Sequence, residues 1–344
     1  MQHPVRGRKS SLQVDAIALI EAAYRLDGTE AEWLDGLASA GAALLDQKLG
    51  VTAVTVELNG GQLRLRHATS LGGPPELHQA TTDFLRQADP GFMFRAFRFA
   101  SVSTMTRASG GTEALQAQVA SDGLFRLGIG DAIGVLGLDG SPYAVALAAF
   151  LPLQTRLSPR FTNRWRRIAT HLAAGFRIRR GLDTARAEGS ALDERLTEAV
   201  LSPRGRLESA GPPAQRAAAT LTRAAVAMQL ARGKLRNESP DKAVEAWRGL
   251  VSGRWSLVDY VDTDGKRFLL ARKNAPQISG PAGVNGLERA VLAARARGLA
   301  LKAIAYDLGL SIPTVSTTLR SGMAKLGLSN DADLVAIFKP IGSR

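Results

Sequence analysis

Between Leu287 and Phe338 the apolar residues and glycines are spaced so that only short helices can form, and short helices do not stand alone. Leu287, Val291 and Leu292 fall on one helical face, and Gly298 closes that helix. Leu301, Ile304, Ala305 and Leu308 line a second helix that ends at Gly309. Ser311 is placed to cap a third, with Pro313 in the first turn, where its missing N–H costs nothing. On that helix Ile312, Val315, Leu319, Met323 and Leu326 recur at helical spacing and are expected to face inward. Gly327 stops it, Ser329 or Asn330 caps a fourth, and Leu334, Val335 and Phe338 supply the fourth inner face. None of these stripes can be buried by its own helix, so the four must pack together. Two short helices joined by a tight glycine turn and flanked by two more present the third outward. That is the helix-turn-helix arrangement, whose second helix fits the major groove of DNA.

The same residues resemble a family. Leu287-Glu288-Arg289, Ala296-Arg297-Gly298, Lys302-Ala303-Ile304-Ala305, Leu308-Gly309-Leu310-Ser311, Thr314-Val315, Lys325-Leu326-Gly327-Leu328 and Leu334-Val335 are similar to the LuxR-type DNA-binding domain of bacterial regulators. The resemblance spans roughly Val284 to Phe338. It implies base contacts at the second, third and sixth positions after Thr314, which here are Ser316, Thr317 and Arg320, with Thr314 itself in the DNA-facing set. Members of the family often carry a basic residue at the position of Ser316, histidine at Thr318 and arginine at Asp331, and this chain departs at all three. Physical chemistry gives these residues roles of their own. An exposed Arg320 donates two hydrogen bonds to guanine O6 and N7, Ser316 and Thr317 are short enough to let the helix sit deep, and a threonine methyl touches a thymine methyl. Lys302 and Lys325 are placed to meet phosphates, which orient a protein without specifying sequence.

The remainder of the 344 residues is enough for two further units. Val14 to Leu49 reads as two helices split near Gly28. Val51–Leu58 and Gln62–His67 flank the hairpin signal Asn59-Gly60-Gly61, and Asp131–Leu138 and Tyr143–Leu151 flank Asp139 to Pro142. Glu113 to Ala120 looks helical, and a basic helix runs from about Phe161 to Leu182. This order resembles a GAF or PAS sensor domain over 11–182, after a basic tail at 1–10 expected to be disordered. Asp183 to Glu208 is charged and polar. After it come an alanine-rich helix (Ala217–Leu235), a helix capped at Ser239-Pro240-Asp241 and containing Trp247, and a hairpin, Trp255–Val261 with Arg267–Ala271, around Asp262-Thr263-Asp264-Gly265. These make a small α+β connecting unit over 183–275, and Asn274 to Val284 reads as a linker. The expected fold is therefore α+β and multidomain: a GAF/PAS-like antiparallel sheet domain, a small α+β middle unit, and an all-α four-helix helix-turn-helix domain over 280–344.

Charge agrees with a polyanionic partner, since the formal net charge is +13. Residues 279–344 carry only eight Lys or Arg against four Asp or Glu, so one copy attracts phosphate moderately and a homodimer on two half-sites is expected. The arginines of the long helix, from Arg156 to Arg180, accompany Trp165, Ile168, Leu172 and Phe176, and the helix is read as a packing seam with a solvated face. Absence of cysteine removes disulfides and thiol chemistry. His3, His67, His78 and His171 have no metal-ligand spacing, the glycines from Gly128 to Gly134 have the wrong spacing for a dinucleotide, and no phosphate loop is present. Trp247 and Trp255 are assigned to core packing. No export signal is evident, and the most apolar run, Tyr143 to Leu153, falls short of the roughly 20 residues of a membrane span. The expectation is a cytoplasmic bacterial transcription regulator, not an enzyme, with no metal or cofactor, double-stranded DNA as partner and an unknown signal. A second reading has the tail grip RNA polymerase or another regulator without reading bases, and a third makes residues 11–182 an enzyme or ligand-metabolising domain.

Overall fold

The computed structural model describes residues 15–59, 62–87, 101–119, 123–138, 142–187, 196–274, 285–326 and 328–337. The tail at 1–10, most of the linker and the turn residues Gly60 and Gly61 lie outside them, as does Phe338. Helices α1 (Ala16–Ala23) and α2 (Glu30–Leu45) lead into β1 (Val51–Asn59), β2 (Gln62–Leu71), α3 (Leu77–Gln87), β3 (Val102–Thr104), α4 (Met105–Ser109), α5 (Thr112–Val119), α6 (Gly123–Arg126), β4 (Asp131–Leu138), β5 (Tyr143–Leu151) and α7 (Pro159–Ala187). Thr29 and Glu32 close a capping box at the start of α2, which fixes the split read near Gly28.

The five strands form one antiparallel sheet in the order β2-β1-β5-β4-β3. Asn59 pairs with Gln62 and Leu138 with Ala144, as the two hairpins require. Val51, Ala53, Val145 and Leu147 point to one face, where they join Ile17, Leu34 and Leu172 of α1, α2 and α7. Val54, Val56, Leu136 and Ala146 point to the other, with Leu77, Phe84, Met105 and Leu124 of α3, α4 and α6. A sheet covered on both faces has apolar side chains on both sides of every central strand, so β4 and β5 read as nearly unbroken apolar runs.

A second antiparallel sheet follows, in the order β7-β6-β9-β8. Its strands are β6 (Thr197–Leu201), β7 (Leu207–Ala210), β8 (Trp255–Val261) and β9 (Arg267–Lys273), with α8 (Pro212–Arg216), α9 (Ala218–Arg232), α10 (Lys234–Glu238) and α11 (Pro240–Ala246) between the pairs. Two expectations are corrected here, and one stretch holds strands that the sequence reading did not give. The charged stretch before Gly211 holds β6 and β7, because Glu198 inside β6 is neutralised by Arg254 and accepts the indole N–H of Trp255 at 2.7 Å. Trp247 does not lie within the capped helix but ends it as the C-cap residue of α11. Asn274, read as the start of a linker, is buried, its amide donating to the Ala174 carbonyl at 3.1 Å and to the Ser256 hydroxyl at 2.6 Å. One continuous hydrophobic cluster runs through both sheet units, and Tyr24 of α1 stacks on Trp247 with centroids 6.0 Å apart. His171, on α7 between them, faces the Tyr24 hydroxyl at 3.2 Å through Nδ1. Its burial lowers its pKa to about 3, so it is a neutral core residue.

The chain ends in α12 (Gly286–Ala296), α13 (Leu301–Leu308), α14 (Ile312–Lys325) and α15 (Asp331–Ile337). Val291, Ala294, Ile304, Leu308 and Val315 form the core of this region, and Leu292 with Leu334 ties α12 to α15. The chain is thus a mixed α/β structure with two antiparallel sheets and a C-terminal helical region. Among the described residues no helix is long and apolar enough to cross a membrane, and no three His, Asp or Glu side chains converge as metal ligands.

Candidate nucleic-acid interface

The turn between α13 and α14 is fixed at two residues. Gly309 takes φ +63° as the C-cap of α13, and a Cβ there would overlap the Leu250 carbonyl oxygen, so only glycine fits. Ser311 then caps α14, its hydroxyl accepting from the Thr314 amide at 3.2 Å, with Pro313 inside the first turn. Thr314 lies beside that cap, its hydroxyl 2.7 Å from that of Ser311.

Only part of the expected inner stripe of α14 is buried. Val315 is fully covered, Leu319, Met323 and Leu326 are half-buried, and Ile312 is 46% exposed. Ile312 is therefore corrected from the inner to the outer surface: it is the first residue of α14, and the buried stripe of that helix begins only at Val315. Thr317 and Arg320 are exposed and Ser316 is half-buried, all on the side away from Val315. Lys302 is exposed at the start of α13. These side chains offer hydroxyls, one guanidinium and one ammonium. Such groups bond to phosphate oxygens and base edges.

Lys325 lies elsewhere. Its ammonium reaches Glu288 of α12 at 2.8 Å, and Ser321 donates to the same carboxylate at 2.7 Å. Glu288 also closes a capping box with Asn285 at the start of α12. These partners hold its pKa down to about 2, Lys325 first, then Ser321 and the Asn285 backbone. The carboxylate ties α14 to α12, and Lys325, expected to meet phosphate, is exposed and ion-paired with it. Sequence reasoning missed Glu288, although Asn285 three residues before it is a legible capping signal. Asp331, a departure from the family pattern, pairs with Arg295 and so closes α15 against α12.

The helix-turn-helix is docked on the rest of the molecule through α13. Leu250, from the loop after α11, completes its hydrophobic core. The Gly253 amide donates to the Leu308 carbonyl at 2.5 Å. Tyr306 is buried, its hydroxyl donating to the Val244 carbonyl at 2.7 Å with the Trp247 carbonyl at 3.2 Å. Arg167 and Arg248 lie over its ring at 5.2 and 5.1 Å. Asp307 accepts from the Thr170 hydroxyl of α7 at 2.8 Å, and burial raises its pKa to about 6. The arginines of α7 are largely engaged within the chain: Arg160 and Arg164 on Asp241, Arg167 on Glu245, Arg177 on Asn274. The seam expected of Trp165, Ile168, Leu172 and Phe176 is buried, but the face expected to be solvated is not wholly so, because Arg179 is buried and donates to the carbonyls of Arg25, Asp27 and Gly28.

Comparison with known proteins agrees with this geometry. No curated protein matches the chain. Residues 287–338 match the family described as bacterial regulatory proteins, luxR family. These residues are a LuxR-family helix-turn-helix.

Proposed function

We propose that the chain is a bacterial transcription regulator that reads double-stranded DNA with the exposed face of α14, as a homodimer on two half-sites, under the control of its GAF/PAS-like sheet unit. The observation that carries this reading is the outward set Ser316, Thr317 and Arg320 on a helix capped and pinned from behind. Arg320 reads guanine, Thr317 and Ser316 admit the helix to the groove, and Thr314 and Lys302 meet the backbone. The net charge of +4 over 279–344, from eight cations and four anions, supports two copies over one. Docking of α13 on α7 and on the loop carrying Leu250 supports control, because any shift of those elements moves the reading helix. In this reading the protein works in the cytoplasm as a regulator and not as an enzyme.

Selection of duplexes from a random pool by the full-length protein tests it. A shared, two-fold-related motif whose affinity falls with salt is expected. Equal binding to all duplexes would end the reading. Regulation that survives Arg320→Ala would favour a protein-contacting tail on RNA polymerase instead.

A further inference from the structure

We propose that the first sheet carries, on the face turned away from α7, a binding site for a small, uncharged, apolar molecule. A cavity of about 110 Å³ lies there between β1, β4 and β5 on one side and α3, α4 and α6 on the other. Val54, Phe84, Met105, Leu124, Leu136 and Phe150 form its wall, and no charged side chain lines it among the described residues.

The chemistry of the occupant follows from the hydroxyls. Four belong to described lining residues, and each makes a hydrogen bond within the protein. Thr52 is 2.8 Å from Ser70, Thr81 donates to the Leu77 carbonyl at 2.8 Å, Ser103 donates to the Thr104 carbonyl at 3.2 Å, and Thr104 accepts from the Arg107 amide at 3.2 Å. A ligand with a carboxylate, phosphate or ammonium would lose its hydration there and meet no opposite charge among the described lining residues. An apolar molecule loses no hydrogen bonds, and dry apolar cavities of about 150 Å³ do take up benzene or xenon. The volume restricts the occupant to about one hydrocarbon ring, and Met105 supplies an adaptable wall.

The location couples the site to α13. Ala132, Gly134 and Leu136 of β4 line the cavity. One residue on, Gly137 meets α7 so closely that a Cβ would stand 2.6 Å from the Ala173 nitrogen. One turn earlier on α7, Thr170 holds Asp307. Leu136 also borders a second small cavity, between α7 and the helix-turn-helix, that Leu250 and Leu308 line. An occupant that displaces β4 therefore displaces the seat of the DNA-binding region. This coupling rests on the sensor reading above, whereas the site itself does not.

The test titrates full-length protein with benzene, and with benzoate as a charged control of similar size, by ligand-observed NMR and thermal unfolding. Saturable benzene binding that raises the unfolding temperature, with none for benzoate, is expected. Ala146→Ile fills the cavity from β5 and Ala108→Leu from α4, so either folded variant should bind benzene about tenfold more weakly or worse. No benzene binding, equal benzoate binding, or full binding by a folded filled variant overturns the site. Benzene binding with DNA affinity unchanged at saturation supports the site and overturns the sensor reading alone.

Discussion

At the residue scale, function and stability fall on different side chains of the same short helices. Arg320 is exposed on α14. Arg320→Ala should therefore lower affinity for the preferred site by about 1–3 kcal/mol, roughly five- to 150-fold, and relax preference at one base pair. Its denaturation midpoint should match the parent's, and a titration against matched and mismatched duplexes reads the difference. Asp307 gives a prediction with a defined sign. Its folded pKa, about 6, lies above the ordinary value of 3.8, so the neutral acid is the form the fold favours. Its contribution is present below the unfolded pKa and is lost as pH rises through about 6. Asp307→Asn keeps the acceptor for Thr170 without the charge, so its stability relative to the parent should rise between pH 4 and pH 6 and then level off. Parallel urea titrations across that range check this, and a pH-independent difference would show that the group does not titrate there.

At the element scale, α14 is held at its N-terminus by Ser311 and along its back by Glu288. Ser311→Ala removes the cap and should cost about 1 kcal/mol, measured by chemical denaturation, with a further loss of DNA affinity as the first turn frays. Gly309→Ala faces both a left-handed φ and the Leu250 carbonyl, and a destabilisation of about 2 kcal/mol or more is expected. Hydrogen exchange should locate its effect at α13 and the loop carrying Leu250. What the sequence shows about these elements follows from the forces that shape them. Caps and glycine stops act within four residues, so α12, α13 and α14 and the hairpins at Asn59 and Asp262 are legible from spacing alone. The face of α14 was less so. Ile312 satisfies the helical period, yet the buried stripe begins only at Val315, and no local pattern records that. β6 and β7 were hidden for the same reason: Glu198 is acceptable in a strand only because Arg254 and Trp255 come to it from far along the chain. Glu288 and Lys325 read as separate surface charges until α12 and α14 cross.

At the scale of the whole molecule, the units distinguished by composition are not independent. The cluster around Tyr24, His171 and Trp247 joins the two sheets, and the segment from Val244 to Gly253 both belongs to that core and seats α13. Orientation of the reading helix is thereby set by packing, not by a tether. Tyr306→Phe tests this directly: it removes the hydroxyl that bonds to Val244 and leaves that buried carbonyl short of a partner. A loss of about 1–3 kcal/mol is expected, with hydrogen exchange rising at α13 and at residues 244–253 together. A rise confined to α13 would mean that the seat and the helix are not coupled.

The central claim is that α14 reads DNA through its outer face. A footprint of the protein across its own chromosome, taken with the parent and with Arg320→Ala in parallel, tests it most directly. The account predicts discrete sites sharing one motif for the parent, and their loss or a relaxed motif for the variant at equal protein level. Sites that persist unchanged in the variant, or a parent with no motif, would contradict it.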